Sequence, residues 1–298
     1  MLSPLLVGIL FFVFSAISAL YTIKTTELPQ NFDDVSLNIT DYQIQQIDEQ
    51  TNSVKWVLKA ETAEASSDES KAEVTKPQIK FFDNGVEKFT IDGDTADLDK
   101  ANQKIIIKNN VKLKTSDGAI TITTNKMFFA EESPFVEFYD NWKVVNDEGY
   151  VIAGQTGKLS KKKDIIISEG DASLLKAKDK LKITADQINL DMKDSTPVKA
   201  RSNSILHIGV DKKLHADEID IQTNGAVKAN GAVKVLTPSI QAYSQRMQII
   251  PKANKKPKTA IFTGNPYVIQ DGNKLYAEKI EYDFDTGEAH LLGSVHSG

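Results

Sequence analysis

The sequence predicts an all-β protein of stacked antiparallel strands, preceded by one N-terminal transmembrane helix. Three observations lead to this fold class: an uncharged apolar run at the start of the chain, an alternation of apolar and polar residues beyond Thr40, and a small residue that recurs inside the predicted strands. The small residue recurs roughly every 30 residues, a period typical of repeat architectures.

The apolar run covers residues 1–23, which contain no charged side chain. A helix needs about 20 predominantly apolar residues to cross the hydrocarbon core of a bilayer. We therefore expect an uncleaved single-pass anchor at residues 1–23, followed by a linker at residues 24–53. A cleaved signal peptide is the alternative, with small residues at 15–19 as its cleavage site. Against it, the basic segment that normally begins such a peptide is missing.

The alternation indicates strands with one buried face. In residues 104–114, Ile105 and Ile107 fall on one face and the lysines on the other. Similar runs continue to the end of the chain, among them Phe135–Val145 and Ala260–Ile269, and pairs such as Asn224-Gly225 mark the turns between them. No convincing amphipathic helix follows the first 23 residues, so we expect the rest of the chain to be sheet.

The recurring small residue suggests a repeated unit of two strands. Units of this kind bury their apolar faces on their neighbours, which predicts an elongated stack of about eight repeats over residues 54–298. An ordinary β-sandwich with evenly spaced strands remains the alternative. The small residues are Ala60, Gly93, Thr124, Ala153, Ala185, Ala216, Ala242 and Ala277.

The repeat also carries a family resemblance. The copy Ala216-Asp217-Glu218-Ile219, the later pair Tyr282-Asp283 and the Gly-x-Val that closes several units resemble the OstA-type domain of lipopolysaccharide transport proteins. Together with the N-terminal anchor, the chain resembles the LptC family, although it is longer than members of that family generally are. The resemblance implies a twisted β-jelly roll, open along one side, whose apolar interior holds acyl chains. It implies no cofactor, because the ATPase that drives transport is a separate protein.

The resemblance also implies a location, partners and sites. The chain would be a single-pass inner-membrane protein with its bulk in the periplasm. It would carry lipopolysaccharide or a related glycolipid, and it would meet LptF/LptG-like permease subunits of the ABC transporter through its N-terminal part. An LptA-like or LptD-like jelly roll would dock at a C-terminal edge formed by Ala289, His290, Leu291, Leu292, Gly293, Ser294 and Val295. The candidate lining of the lipid groove is Ile105, Ile107, Ile120, Ile122, Phe129, Phe138, Trp142, Ile165, Ile167 and Ile183.

Other function classes find little support. The net charge of −5 gives no basic footprint for nucleic acid, and the chain has no cysteine. The four histidines lack metal-ligand spacing, and no nucleotide-binding or hydrolase motif is present. We therefore expect neither an enzyme nor a metal site. The acidic residues at 92–99 could bind Ca²⁺, but the favoured interpretation is an acidic turn between strands. The alternative function is a membrane-anchored structural β-solenoid, a stalk or adhesin with a dry core.

Two lysine groups, at residues 161–163 and 252–258, allow two interpretations. Ammonium groups bind phosphate as point charges, so these lysines could meet an anionic glycolipid. Charged residues are also common at solvated hairpin tips, which is the favoured interpretation.

Overall fold

The structure is a computed structural model that describes residues 37–48, 51–66, 70–147, 149–163, 165–191, 198–238, 240–270 and 272–298. The anchor predicted at residues 1–23 lies outside these residues. Within them, no helix is long and apolar enough to cross a membrane. The chain divides into two compact units, the residues up to Ser116 and Asp117–Gly298. Both are antiparallel β-structures, and each is described here by itself.

The N-terminal unit contains seven strands in its described part. They are β1 (Leu37–Ile47), β2 (Val54–Ala65), β3 (Lys71–Thr75), β4 (Gln78–Asp83), β5 (Val86–Asp92), β6 (Thr95–Asp99) and β7 (Lys104–Thr115). The long strand β2 pairs with β4 through its first half and with β3 through its second. Likewise, β7 pairs with β6 and then with β5. Strand β1 lies in the segment predicted as a linker, so the sheet begins before the expected start at Val54.

The C-terminal unit contains the remaining strands. They are β8 (Ile120–Ala130), β9 (Phe135–Tyr139), β10 (Lys143–Asn146), β11 (Tyr150–Ala153), β12 (Thr156–Ser160), β13 (Ile165–Lys176), β14 (Leu181–Asp191), β15 (Val198–Ile208), β16 (Lys212–Ile221), β17 (Val227–Leu236), β18 (Gln241–Pro251), β19 (Pro257–Thr263), β20 (Tyr267–Gln270), β21 (Asn273–Tyr276), β22 (Lys279–Asp283), β23 (Ala289–Leu292) and β24 (His296–Ser297). One turn of 3₁₀-helix, Ala177–Asp179, joins β13 to β14.

Long strands in the C-terminal unit belong to two walls. Each strand from β13 to β17 shifts register once against the next strand, near its middle, and this irregularity divides it into two arms. Wall A consists of the arms of β14 and β16 that precede the shift and the arms of β13, β15 and β17 that follow it. The short strands β10, β11, β20, β21 and β24 complete this wall. Wall B combines the other arms with β9, β12, β19, β22 and β23. In the described residues the chain passes between the walls only at the bends, because every turn at the other ends of the arms joins strands of one wall.

The register shift keeps the same face of the sheet buried in both arms. In β14 the buried residues are Ile183 and Ala185 before the shift and Ile188 and Leu190 after it. At the shift β13 and β15 each have one more residue than β14, so the buried residues of the three strands stay opposite one another. Since no helical layer covers the sheet in its described part, the two walls cover each other. The core of the unit is therefore the buried face between them.

Left-handed backbone conformations produce the bends. Asn109-Asn110, Asp140-Asn141, Gly170-Asp171, Ser202-Asn203, Gly231-Ala232 and Gly264-Asn265 all have positive φ. Asparagine, aspartate and glycine are the residues that adopt this region at least cost. Two of these bends interrupt runs that the alternation had suggested as single strands: β9 ends and β10 begins around Asp140, and β19 ends and β20 begins around Asn265.

Side chains from the preceding strand hold these bends. The Asn110 side-chain amide donates a hydrogen bond of 2.6 Å to Asp94, and that of Asn203 donates one of 2.8 Å to Asp186. Two of the recurring small residues lie directly before these partners, Gly93 before Asp94 and Ala185 before Asp186. The period of the small residues is thus the period of the bends, and at Gly93 a Cβ would overlap the side chain of Ile107.

Candidate lipid-binding interior

Eight of the ten residues predicted to line a groove are buried. Ile105 and Ile107 lie in the N-terminal unit, with 3% and 0% of their surface exposed. The other six lie in the C-terminal unit, where none is more than 7% exposed: Ile120, Ile122, Phe129, Phe138, Trp142 and Ile183. Their contact with lipid stays a prediction.

Ile165 and Ile167 are not part of this buried set. Both are partly exposed, whereas Ile166 between them is fully buried. In a run of three isoleucines only the flanking residues indicate the phase, and here the polar neighbour Ser168 is itself buried. The phase is set by pairing, because Ile166 lies opposite Leu159 and Leu190, which are also buried. The predicted orientation of this segment was wrong by one residue.

The buried face is almost entirely hydrocarbon. The buried polar side chains of the described residues are Thr124, Ser168 and Ser204. The Ser168 hydroxyl donates a hydrogen bond of 2.9 Å to the carbonyl of Ala153, and that of Thr124 donates one of 3.1 Å to Lys126. Because backbone carbonyls accept these protons, the hydroxyls are not needed for a ligand. The face suits a partner without directional chemistry, such as an acyl chain.

Large side chains pack tightly near one bend. The rings of Phe138 and Trp142 have centroids 5.2 Å apart. Gly157 lies opposite Phe138 in the register of β9 and β12, and a Cβ at this glycine would overlap the Phe138 ring. This end of the interior is filled by the protein itself. Space for a lipid therefore has to come from the side away from the bends, where the walls are not covalently joined.

Two lysines lie at the outer ends of the walls beside inward-facing rings. Lys161 follows β12 in wall B, and its Nζ lies 3.9 Å from the centroid of Phe129. Lys176 ends β13 in wall A, and its Nζ lies 4.4 Å from the centroid of Tyr150. Lys161 donates hydrogen bonds to the carbonyls of Ala130 and Glu131, at 2.5 and 3.3 Å. It is thus not the solvated turn residue that the sequence favoured.

Burial lowers the pKa of Lys161 to about 8, and the charge of Glu131 opposes this shift. An ammonium held against an aromatic ring has lost part of its hydration, which disfavours the charged form. Lys252, in the second lysine group, instead pairs with Asp285 at 2.5 Å. Sequence patterns did not separate these two lysines, since both follow strands.

The acidic group at residues 92–99 is occupied by protein partners. Asp94 pairs with Lys76 at 2.7 Å, Asp97 with Lys108 at 2.5 Å, and Asp99 accepts hydrogen bonds from Asn102. Lys76 and Asn110, as hydrogen-bond donors, hold the pKa of the Asp94 carboxyl below its ordinary value. No group of metal-ligating side chains occurs in the described part of the chain.

An open depression of about 600 Å³ lies in the N-terminal unit, where β2, β3, β6 and β7 carry its lining. Ala65, Ala72 and Leu98 form part of its floor. Four carboxylates but only two lysines border it, namely Glu64, Glu73, Asp97, Asp99, Lys71 and Lys104. This excess of negative charge makes it a poor site for an anionic headgroup.

The last strands leave apolar surface uncovered. β23 pairs with β22 on one side, and no strand of the described chain pairs with its other side. Leu292 is 41% exposed and Val295 is 51% exposed. Unpaired edge strands with apolar side chains are the usual template for adding a strand from another molecule. Docking at the predicted edge, residues 289–295, stays a prediction.

Two family models match the sequence. Residues 3–137 match "Lipopolysaccharide-assembly, LptC-related", and residues 151–288 match "LptA/(LptD N-terminal domain) LPS transport protein". The first match continues past the boundary at Ser116 into β8 and β9. No curated protein matches the sequence.

Among solved structures, the chain is similar to LptH, described as the LptA homologous periplasmic component of the conserved lipopolysaccharide transport device from Pseudomonas aeruginosa. The two share 14% identity with a TM-score of 0.24, and the alignment covers 51% of this chain and 95% of LptH. The fold described above rests on strand register and burial alone.

Proposed function

The chain is an LptC-like lipopolysaccharide transport protein with an LptA-type second half, and we propose that it carries the acyl chains of lipopolysaccharide or a related glycolipid between the walls of its sheet. The observation that carries this proposal is the buried hydrocarbon face, which continues from β8 through β20 and includes β22 of the C-terminal unit. A role in lipopolysaccharide transport in the periplasm follows from the two families. The route and the contacts within the chain are our proposal.

Lipid would enter from the side opposite the bends. Each methylene removed from water contributes about 0.8 kcal/mol, so an acyl chain binds without specific polar contacts. The interior residues are already almost fully buried, however, so lipid replaces contacts between the walls instead of burying new protein surface. The net affinity is then much smaller than the full transfer free energy. Modest affinity suits a carrier, which has to release its lipid to the next protein.

The ends of the chain complete the proposed route. Residues 1–23 anchor the protein in the inner membrane by a single pass, and the N-terminal part meets LptF/LptG-like permease subunits. The edge of β23 receives an LptA-like or LptD-like jelly roll by strand addition. With an LptA-type half of its own, the chain covers part of the distance that separate units otherwise span.

Site-specific photo-crosslinking in cells tests the proposal. Neighbouring phenylalanines of β8 provide a matched pair: Phe129 faces the interior and is 4% exposed, whereas Phe128 faces outward and is partly exposed. Benzoylphenylalanine resembles the residue it replaces at both positions. We expect lipopolysaccharide adducts at residue 129 and none at residue 128.

Adducts at neither position, in a chain shown to be folded and exported, would contradict the proposal and favour a structural solenoid with a dry core. The tight packing of Phe138 against Trp142 is the observation that supports that second function. Equal adducts at both positions would also contradict a groove, because they would place lipid on the outside of the sheet.

A further inference from the structure

The outer surface of wall A carries a cluster of lysine and histidine side chains. Lys182, His207 and Lys213 lie side by side on β14, β15 and β16, because each is opposite the next in the register. One step nearer the bends, His215 lies opposite Lys234 of β17. All five point outward, since the next residue of each strand on the side of the bend is buried. We name these five residues the basic face.

Ion pairing does not neutralise the lysines of the basic face. None of Lys182, Lys213 and Lys234 pairs with a carboxylate in the part of the chain that the structure describes. The arms of β15 and β16 in wall B differ: there Arg201 pairs with Glu218 at 3.3 Å and with Asp220 at 2.8 Å. Two walls of the same strands thus have different electrostatics, and an unbalanced positive surface stands out on a chain with a net charge of −5.

The two histidines respond to this positive field. Burial lowers the pKa of His207, and the charges of Lys182 and Lys213 lower it further. Burial also lowers the pKa of His215, and Lys234, Lys213 and His207 add to the effect. The carboxylates on these strands stand away from the rings, with Asp186 and Asp217 at the bends and Asp211 in the turn after β15. Burial, and then the neighbouring cations, therefore favour the neutral form of both rings.

A row of stacked rings extends from the basic face towards β24. The Lys234 ammonium lies 5.5 Å from the Tyr243 centroid. Tyr243 stacks on Tyr267 at 4.7 Å and Tyr267 lies 5.3 Å from Tyr276, which stacks on His296 at 5.3 Å. The three tyrosines are partly exposed, and the Tyr243 hydroxyl donates a hydrogen bond of 3.0 Å to the side chain of Gln241. Hydroxyl groups beside ammonium groups suit a ligand that is both anionic and rich in hydrogen-bonding groups.

We propose that the basic face binds the phosphorylated saccharide part of the lipid whose acyl chains lie between the walls. Lys182 and Lys213 stand two strands apart, about 10 Å at the usual strand spacing, which fits several phosphates better than one. Both lie within two residues of the outer end of wall A, where a headgroup leaves the interior. Lysine binds phosphate as a point charge. The inference rests on the proposed function for the source of the ligand.

Binding to the full-length chain in detergent micelles tests this site. The probe is the deacylated, phosphorylated oligosaccharide of lipopolysaccharide, measured by isothermal titration calorimetry. We expect Lys182→Gln/Lys213→Gln/Lys234→Gln to weaken binding at least tenfold. The matched control neutralises three outward lysines of wall B and should change the affinity less than twofold: Lys158→Gln/Lys199→Gln/Lys228→Gln. Equal losses in the two triple variants would overturn the proposal.

Histidine titrations by NMR supply a second measurement on the unaltered chain. A bound polyanion should raise the pKa of His207 and His215, because it offsets the lysine charges that lower them. His290, on β23 of wall B, is the internal control and should not shift. A saturating oligosaccharide that leaves both pKa values unchanged would contradict binding at this face.

Three further probes identify the chemistry and its source. The same oligosaccharide after dephosphorylation should not bind, and inorganic phosphate at equal phosphate concentration should produce no comparable shift. Glycerophosphoglycerol, the headgroup of an anionic bilayer lipid, should also fail. If inorganic phosphate or glycerophosphoglycerol acts equally well, the proposed saccharide site is wrong. None of these probes contains an acyl chain, so failure here leaves crosslinking at residue 129 as an independent test of the interior.

Discussion

The ammonium group of Lys161 lies 3.9 Å from the centre of the Phe129 ring and donates hydrogen bonds to the backbone carbonyls of Ala130 and Glu131. A charged group has thereby been placed at the end of an apolar interior. The ring and the carbonyls replace only part of its hydration, which is why its pKa is lowered to about 8. Folding therefore includes a cost for burying this charge, and the cost depends on pH.

Replacing Lys161 by methionine should change the pH dependence of stability. The pKa of this lysine is lowered from 10.5 to about 8 on folding. Between these values the unfolded chain binds more protons at this site, so its contribution makes the free energy of unfolding rise with pH. The cost is fully present below about pH 8. The gain in unfolding free energy of Lys161→Met over the native chain should be largest at neutral pH. This gain should disappear as the pH approaches 10.

Urea unfolding at about pH 7 and pH 10 measures this difference. The control is Lys162→Met, which removes the exposed lysine next in sequence. Its unfolding free energy should differ from that of the native chain by the same amount at both pH values. A Lys161→Met difference that does not change with pH would mean that the ammonium of Lys161 is fully hydrated.

Gly157→Ala should destabilise the C-terminal unit by about 1–3 kcal/mol, the usual cost of overpacking a core. The added methyl group would overlap the ring of Phe138, which lies opposite Gly157, and would also press on Trp142. Urea denaturation gives the change in unfolding free energy. The test of the cause is the same substitution in a Phe138→Leu background, where it should cost much less. Equal costs in the two backgrounds would point to strain elsewhere.

Asn203 should contribute to stability in two separable ways at its bend. Its φ of 50° is unfavourable for residues other than glycine and asparagine, and its amide donates a hydrogen bond of 2.8 Å to Asp186. Asn203→Gly removes only the hydrogen bond, which should cost about 0.5–1 kcal/mol at this exposed position. Asn203→Ala removes the hydrogen bond and also places an alanine at positive φ, which should cost about 1 kcal/mol more. Similar costs for the two variants, measured by urea unfolding, would mean that the bend imposes no strain.

Residue alternation predicted the buried face wherever a strand has only one apolar side. Ile105 and Ile107 belong to a run of three isoleucines, but the lysines at 104, 108, 112 and 114 indicate its phase, and both isoleucines are buried as predicted. In the run 165–167 the polar neighbour Ser168 is itself buried, so only the pairing of Ile166 with Leu159 and Leu190 decides which side is inside. Pairing is a long-range property, and the sequence of one strand does not contain it.

The bends and the basic face escaped prediction for related reasons. Asp140-Asn141 looked like polar residues within one strand, although such residues are also those that adopt positive φ. Lys182, Lys213 and Lys234 looked like ordinary solvated residues, because each strand taken alone has lysines on its polar side. Their clustering appears only when the register sets the four strands β14 to β17 side by side. The period of the small residues, in contrast, was visible and marks the bends.

Exposed apolar residues beyond the last full strands should govern docking of an LptA-like jelly roll. Leu292 and Val295 are 41% and 51% exposed, and the outer side of β23 has no partner strand in the described residues. A chain that ends after Glu288 keeps β1–β22 and should stay folded, but it should lose docking. Leu292→Asp/Val295→Asp should weaken docking at least tenfold, because the added charges would have to be buried at the new strand pair.

The control for this prediction is Val210→Asp, which alters an apolar residue that is 89% exposed in the turn between β15 and β16. It should bind the jelly roll with unchanged affinity in a pull-down or biolayer interferometry measurement. Circular dichroism and urea unfolding establish that each variant is folded. If the chain ending after Glu288 were folded and bound the partner as tightly as the native chain, docking would have to use another edge. The outer side of β1, which pairs only with β2 in the described part of the chain, would then be the next edge to alter.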